Sequence, residues 1–222
     1  MSMILSDVHG RVPSIVQALV RRVSEAGGRA FLVGGAVIDM IQDRPPKDWD
    51  LEIFGLSFSR LEAIFADKAP NVVGKAFGTM KLSAEKCDGF DVDINIPRVD
   101  NHVGLGHNDL MVETNPNMSV EEACRRRDFT INAMALDLTT GEIIDPFGGV
   151  NDLAKGILRA TDARLFVQDP LRALRGMQLL ARKASVVDPA TMNIIRGMSD
   201  SFPHLAKERV HEEFRKLLLK AP

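Results

Sequence analysis

Residues 30–54 read AFLVGGAVIDMIQDRPPKDWDLEIF, and this stretch decides the fold. The apolar run 30–33 predicts a short strand, which the pair Gly34-Gly35 ends before a helix begins. A second strand is predicted over residues 49–54, where apolar and acidic side chains alternate. A strand, a glycine turn, a helix and another strand indicate a domain that mixes helices with a sheet.

Two predicted strands concentrate acidic side chains on one face each, because alternate side chains of a strand point the same way. In the strand predicted over 49–54 and the residue before it, the polar side chains that share a face are Asp48, Asp50 and Glu52. In a further strand predicted over 90–96, they are Asp91, Asp93 and Asn95. A solvated sheet face is the simpler interpretation of either strand alone. If the strands are neighbours, however, the carboxylates repel one another unless a cation lies among them, and neither polar face carries one. Mg²⁺ suits such oxygen ligands, and two ions about 3.5–4 Å apart stabilise both oxygens of a phosphoryl displacement.

The glycine pair extends this hypothesis. Alone, Gly34-Gly35 is most simply a tight turn. Followed 13 residues later by the Asp-x-Asp of Asp48 and Asp50, it indicates a phosphate-binding turn at a helix N-terminus, close to a metal site.

Composition narrows the function further. The chain has 222 residues, a net charge of −2 and 45% hydrophobic residues, which is typical of a globular protein. No apolar run is long enough to span a bilayer, and the N-terminus does not resemble a signal peptide. Cys87 and Cys124 form no CxxC pair, so a reducing, cytoplasmic compartment is expected. A nucleic-acid-binding protein is usually basic, so any RNA contact must be local or use surface outside this chain.

The remaining pattern predicts a domain of α/β or α+β class over residues 1–157 and a helical domain over 158–222. The further elements expected are helices over 11–27 and 57–67, a pair of strands over 71–82, strands over 133–138 and 142–144, a long loop over 99–118, and helices from about 161 onward.

Five motifs in order resemble those of one family. FLVGGAVIDM and DWDLEIFG resemble motif A of the class II tRNA nucleotidyltransferases, the CCA-adding enzymes and bacterial poly(A) polymerases of the polymerase-beta-like superfamily. RRRDFTINAMALD resembles their RRD motif, and GEIIDPFGGVNDL, QDPLRALRGMQLLAR and KERVHEEFRKLL resemble the other three. The resemblance covers about residues 30 to 219. It implies an α+β head with a mixed sheet flanked by helices (1–157), followed by an all-helical neck (158–222).

The resemblance also implies catalytic residues. Asp48 and Asp50 would hold two Mg²⁺ ions. The third carboxylate lies five residues before an arginine in the family, and Arg98 makes this Asp93, whereas geometry alone leaves Asp91 as a rival. Asp93 would position the RNA 3′-hydroxyl or accept its proton.

The nucleotide-binding residues are implied in the same way. Gly34 and Gly35 would line the triphosphate. The run Arg125–Arg127 alone is typical of a solvated helix end, but in the family its last arginine, Arg127, contacts the nucleotide. Asp128 would contact the ribose 2′-hydroxyl, and Asn132 one helical turn further would support it.

A third set lies in the predicted neck. Asp169-Pro170 predicts a helix start, and the leucine repeat after it predicts a core ridge. The resemblance adds that Asp169, Arg172 and Arg175 read the incoming base. A carboxylate accepts from the exocyclic amine of cytosine or adenine, so it disfavours uracil and guanine.

Three positions depart from the family pattern: Ile38 and Gln178 stand where arginine is common, and Gln168 where glutamate is common. These changes put nucleotide affinity and base selection in doubt. The chain also stops near the end of the neck, without the body and tail domains that grip tRNA. A fragment or a minimal member is expected, with a homo-oligomer or missing RNA-binding domains supplying the grip.

The sequence therefore predicts an Mg²⁺-dependent transferase that adds CMP and AMP, or AMP alone, from CTP and ATP to the 3′ end of tRNA, with no membrane partner. In the family that the chain resembles, the loop before the RRD motif helps the switch from C to A addition, so the presence of the predicted 99–118 loop favours A addition over addition of C only. A poly(A) polymerase of the same fold and a degenerate member that binds nucleotide or RNA without turnover remain alternatives.

Overall fold

The strand predicted over residues 49–54 forms over those residues and lies near the middle of a mixed sheet. A computed structural model of the chain describes residues 3–5, 7–72, 78–102 and 110–220. The strands in these ranges are, in chain order, β1 (Met3–Ile4), β2 (Arg29–Val33), β3 (Trp49–Phe54), β4 (Asn71–Val72), β5 (Thr79–Leu82), β6 (Val92–Asn95), β7 (Arg98–His102), β8 (Leu110–Thr114), β9 (Ala135–Asp137), β10 (Glu142–Ile144), β11 (Ile157–Leu158) and β12 (Val186–Val187).

The helices complete the element order. They are α1 (Val8–Arg11), α2 (Ser14–Glu25), α3 (Gly35–Ile41), α4 (Phe58–Ile64), α5 (Val120–Arg125), α6 (Gly149–Lys155), α7 (Ala163–Phe166), α8 (Leu171–Arg182), α9 (Pro189–Gly197) and α10 (Lys207–Lys220). Short 3₁₀ helices lie at Ala66–Lys68, Ala84–Lys86, Thr130–Asn132 and Ser199–His204. None of the helices among the described residues combines the length and the apolar character that a membrane span requires.

The chain forms two compact units that interleave along the sequence. The sheet unit is drawn from residues 1–123 and 135–144, and the helical unit from 124–134 and 145–222. These borders differ from the predicted domain border at residue 157. The helical unit includes residues 124–134 and 145–157, which both lie before that border. The division into a head and a neck domain at residue 157 stays a prediction.

In the sheet unit, the strand order is β1-β10-β9-β2-β3-β6-β5-β4. The pair β3 and β6 is parallel, whereas the other neighbouring pairs are antiparallel, so the predicted mixed sheet is confirmed. Helix α2 packs on β2 through a stripe at helical spacing, Val16, Leu19, Val20 and Val23, all of which are buried.

The alternation predicted for β3 is present. Trp49, Leu51 and Ile53 are buried, while Asp50 and Glu52 keep partial exposure. Burial of each large apolar side chain contributes about 1.5–3 kcal/mol, so the apolar face fixes the strand's register and thereby the direction of its carboxylates.

The prediction of a loop over residues 99–118 is wrong for much of that segment. Strands β7 and β8 pair antiparallel there, with Arg98 opposite Thr114 and His102 opposite Leu110. The prediction followed the average composition, in which Gly, His and Asn are frequent. Both glycines of the segment, Gly104 and Gly106, lie in 103–109. That stretch is outside the described residues, and so is part of the strand pair predicted over 71–82.

In the helical unit, α10 packs against α8. One short parallel ladder, β11 with β12, interrupts the series of helices expected from about residue 161. A buried polar network links the elements around it. Arg159 Nε donates to Asp152 Oδ2 at 3.0 Å and Arg159 Nη1 donates to Asp188 Oδ1 at 2.6 Å, while the Thr130 hydroxyl donates to Asp152 Oδ2 at 2.7 Å.

Candidate active site

The acidic faces of β3 and β6 lie side by side in the sheet unit. The two strands are parallel neighbours, and their register sets Asp50 beside Asp93 and Glu52 beside Asn95. Neighbouring strands are about 4.8 Å apart, so the two carboxyl groups of the first pair start from adjacent backbone positions on one face. The juxtaposition of the two strands, on which the metal hypothesis depends, is therefore present.

The other two predicted carboxylates lie at the ends of this face. Asp48 directly precedes β3 and is exposed. Asp91 precedes β6, and its Oδ1 accepts a hydrogen bond from the Ala84 backbone N–H at 2.8 Å. The Asp91 carboxylate thus holds the connection between β5 and β6, whereas Asp93 lies next to Asp50. This placement favours Asp93 over its rival as the third carboxylate, which stays a prediction.

The sequence analysis missed a cation on this face. Strand β5 is the other neighbour of β6, and its register places Lys81 opposite Asp93. Lys81 Nζ donates to Asp93 Oδ2 at 2.6 Å. This hydrogen bond raises the pKa of the Lys81 ammonium above its ordinary value against the opposing effect of partial burial, and the charges of Asp93, Asp50 and Asp91 raise it further. The signal available in sequence was the Asp88-Gly89 turn, which indicates a hairpin that would bring Lys81 beside the acidic strand.

The glycine pair connects β2 to α3 in the same unit. Gly34 has φ of 70°, a conformation that favours glycine, and Gly35 begins the helix. A Cβ atom added to Gly35 would have no heavy atom within 4 Å. The backbone of this turn is therefore open to a ligand, as the triphosphate hypothesis requires.

Carboxylate oxygens form the donor set on the β3 and β6 face, and oxygen ligands of this kind fit Mg²⁺. Among the described residues, no three His, Cys, Asp or Glu side chains are drawn together closely enough to enclose an ion. Asp93, the carboxylate adjacent to Asp50, instead pairs with Lys81.

A second cluster of predicted residues lies in the helical unit. Asp128 is largely buried, and its Oδ1 accepts from the Phe129 backbone N–H at 2.8 Å and from Asn132 Nδ2 at 3.0 Å. The expected contact between Asn132 and Asp128 is therefore present. Arg127, the preceding residue, is half-buried.

The ridge on α8 joins this cluster. Arg175 Nη2 donates to Asp169 Oδ2 at 2.7 Å, and Arg175 Nε lies 3.7 Å from Asp128 Oδ2. Arg172 Nη2 donates to the Arg126 carbonyl oxygen at 2.8 Å. The structure thus brings the RRD segment and the predicted base-reading residues together within one unit.

Asp169 has two further contacts. Its Oδ1 accepts from the Leu171 backbone N–H at 3.2 Å, which supports the predicted helix start, and lies 3.5 Å from Nη2 of Arg209 on α10. The sequence analysis did not single out Arg209. It lies inside the last of the five motifs.

The departures from the family pattern occupy different environments. Ile38 is fully buried on α3 and packs in the core. Gln178 is 6% exposed, and its side chain donates to the Glu213 carboxylate and accepts from Arg182. Gln168 is exposed. Ile38 and Gln178 therefore replace cations at positions that this chain uses for packing and for a polar contact to α10.

Comparison with known proteins identifies the family of the chain. Residues 30–159 match the family described as the poly(A) polymerase head domain. A multifunctional CCA protein of Stenotrophomonas maltophilia is 35% identical over 198 residues, which are 87% of this chain and 46% of that protein. One from Xylella fastidiosa is 34% identical over 195 residues, 86% of this chain and 44% of the relative. The chain thus spans about half the length of these curated relatives.

Solved structures show the same likeness. The CCA-adding enzyme of Bacillus stearothermophilus in complex with CTP superposes with a TM-score of 0.78 at 28% identity, over 93% of this chain and 49% of that one. The Thermotoga maritima CCA-adding enzyme complexed with tRNA gives a TM-score of 0.78 at 24% identity, over 98% and 51%, and shows the fold alone. The family and fold predicted from the sequence are thereby confirmed. The match over more than half of its residues, with the five ordered motifs, shows that this chain belongs to the poly(A) polymerase head domain family of nucleotidyltransferases.

Proposed function

We propose that the chain is the catalytic part of a template-independent RNA nucleotidyltransferase, which adds CMP and AMP from CTP and ATP to the 3′ end of tRNA. The observation that carries this proposal is the pairing of Asp50 with Asp93 on one face of the sheet, with Asp48 at its edge, in a member of this family. The names of the relatives favour tRNA as the acceptor. One of them, a CCA-adding enzyme, was solved in complex with CTP.

Each residue of the sheet unit then has a chemical task. Asp48 and Asp50 would hold two Mg²⁺ ions, whose charge lowers the pKa of the RNA 3′-hydroxyl and stabilises the leaving pyrophosphate. Asp93 would orient that hydroxyl or accept its proton. Gly34 and Gly35 would line the triphosphate, and the open space beside Gly35 leaves room for it.

The helical unit would select the nucleotide. Asp128, held in place by Asn132, would accept from the ribose 2′-hydroxyl, and Arg127 would contact the nucleotide. Asp169, Arg172 and Arg175 would read the base edge. Two of these side chains are held in place by the hydrogen bonds that they donate, Arg175 to the Asp169 carboxylate and Arg172 to the Arg126 carbonyl oxygen, so they are ordered before the base arrives.

We further propose a head over residues 1–157 and a neck over 158–222, with RNA grip supplied by additional domains or by a second copy. We also propose a cytoplasmic site of action, since the two buried cysteines, Cys87 and Cys124, form no CxxC pair.

The deciding experiment uses tRNA transcripts that end before CCA, in C and in CC. Each is incubated with the protein, Mg²⁺ and labelled CTP or ATP, and the products are resolved at single-nucleotide length. Addition that stops at CCA supports the proposal. A ladder of A residues on any RNA supports the poly(A) polymerase alternative, which the family description favours. No addition by a folded protein contradicts both for this chain alone.

Replacement of Asp169 by Asn is expected to relax base selection. An amide both donates and accepts, so it no longer favours bases with an exocyclic amine, and its oxygen still caps α8. We expect the kcat/KM ratio of CTP or ATP to UTP or GTP to fall about tenfold or more. The matched control is Glu212→Gln, which neutralises a partly exposed carboxylate on α10 that pairs with Arg215. An unchanged ratio in Asp169→Asn would contradict the base-reading role.

A further inference from the structure

Three neighbouring strands place charged side chains at one register level of the acidic face, which we call the rung. Asp50 on β3 is beside Asp93 on β6, and Asp93 is opposite Lys81 on β5. The Lys81 ammonium is 2.6 Å from the Asp93 carboxylate, and the two side chains are 50% and 30% exposed. At the next register level Glu52 is beside Asn95, and Asn95 is opposite Thr79, whose hydroxyl donates to Asn95 Oδ1 at 2.8 Å, so β5 carries no cation there. The charged pair thus stands at the level of Asp50, where the proposed function needs an ion.

The rung concentrates negative charge unless a cation offsets it. Asp50 and Asp93 are on adjacent strands, and Asp48 and Asp91 precede those strands. Like charges at such separations disfavour the ionised state of one another. Lys81 supplies a positive charge at the Asp93 end of the rung. Its ammonium forms a direct ion pair with the Asp93 carboxylate at 2.6 Å.

We propose that Lys81 is the internal counter-ion of the catalytic carboxylates, which holds Asp93 in the ion-free protein and competes with a divalent cation for it. The inference rests on the proposed function in taking this face as the ion site. Lys81 acts through Asp93 and is a positioning residue.

The test measures ion binding directly, without nucleotide or RNA. Mn²⁺ is titrated into the full chain, and free Mn²⁺ is followed by electron paramagnetic resonance. Trp49 is the single tryptophan of the chain, and its side chain is buried. It lies between Asp48 and Asp50 in the sequence, so quenching of its fluorescence by Mn²⁺ gives a second readout. Lys81→Met removes the competing charge, so it is expected to bind Mn²⁺ about fivefold more tightly than the wild type, an effect moderated by the partial exposure of the pair.

Matched variants separate this role from a purely structural one. Lys81→Arg keeps the charge and is expected to bind Mn²⁺ like the wild type. Lys86→Met removes an exposed charge within the β5–β6 connection, in the 3₁₀ helix Ala84–Lys86, and is also expected to leave binding unchanged. In an Asp93→Asn background, Lys81→Met should have no further effect, because the partner of Lys81 is gone. If Lys81→Met does not fold, Lys81→Gln provides the same loss of charge.

The outcomes are distinct. Unchanged or weaker Mn²⁺ binding in a folded Lys81→Met protein overturns the proposal, as does tighter binding that persists in the Asp93→Asn background. A role of Lys81 in holding the triphosphate would instead raise the KM for nucleotide and leave Mn²⁺ binding alone unaltered, which also overturns it. A chain that shows the expected Mn²⁺ pattern yet adds no nucleotide contradicts the proposed function and leaves this inference standing.

Discussion

Asp50→Asn is expected to lower the rate of nucleotide addition by about a thousandfold or more. Asp50 is the residue that β3 places beside Asp93, and the amide carries no negative charge with which to hold a divalent cation. Substrate binding through the helical unit does not involve this side chain, so the loss should appear in kcat rather than in KM. Single-turnover addition of one labelled CMP or AMP to a tRNA transcript measures it.

The matched control is Asp91→Asn, two residues from Asp93 along the chain. Asp91 accepts from the Ala84 backbone N–H, and the asparagine oxygen can accept the same hydrogen bond. We expect activity within about twofold of the wild type. A thermal melt excludes unfolding as the cause of a loss in Asp50→Asn, since removal of one of several like charges should not destabilise the sheet. If Asp50→Asn retained full activity, or if Asp91→Asn were equally inactive, the assignment of the carboxylates would be wrong.

Gly149→Ala is expected to destabilise the helical unit by about 3 kcal/mol. A Cβ atom at this first residue of α6 would overlap the carbonyl oxygen of Thr130 and lie 2.9 Å from Met134 Cγ. Backbone atoms cannot retreat as a flexible side chain can, and Thr130 is further fixed by its hydrogen bond to Asp152. A decrease in Tm of about 6–12 °C would follow for a chain of this size.

Gly197→Ala is the control for this substitution. Gly197 is also a helical glycine, at the end of α9, but an added Cβ there has no heavy atom within 4 Å. Alanine is the better helix former, so we expect an unchanged or slightly higher Tm. Differential scanning calorimetry of the three proteins makes the comparison. A Tm for Gly149→Ala within 2 °C of the wild type would show that α6 can shift away from Thr130.

The apolar face of β3 explains why its carboxylates could be placed from the sequence. Trp49, Leu51 and Ile53 alternate with Asp50 and Glu52. Because the three apolar side chains are buried on one face of the strand, the two carboxylates must point to the opposite face. The pattern of the strand predicted over 90–96 likewise places an acidic face on it, but that the two strands are neighbours was only a condition of the prediction, which the structure meets.

The pairing partner of Asp93 could not be found in that way. Lys81 is on a third strand, and its position opposite Asp93 depends on the length of the connection between Leu82 and Val92 and on where that connection bends. A shift by one residue would turn Lys81 to the other face. The cation was therefore absent from a prediction that considered each strand by itself.

The structural role of single residues that depart from a motif was also harder to predict than the presence of the motif itself. Ile38 and Gln178 were interpreted as positions at which an arginine is missing. In the structure Ile38 is a core side chain, and Gln178 donates a hydrogen bond to Glu213. Nothing in the local sequence shows whether such a position faces solvent, because that depends on elements far along the chain. The 99–118 segment failed for a related reason, since pairing between β7 and β8 outweighs the average composition of the segment.

The interleaving of the two units has a consequence for recombination between relatives. A crossover at residue 157 looks harmless in the sequence, since it separates the sheet-rich part from the helices. It would nevertheless divide the helical unit, because Asp152 and Asp128 come from one parent while their partners Arg159 and Arg175 come from the other. These pairs must therefore be inherited as a block, and functional chimeras are expected to tolerate crossovers only where both members of each pair share an origin.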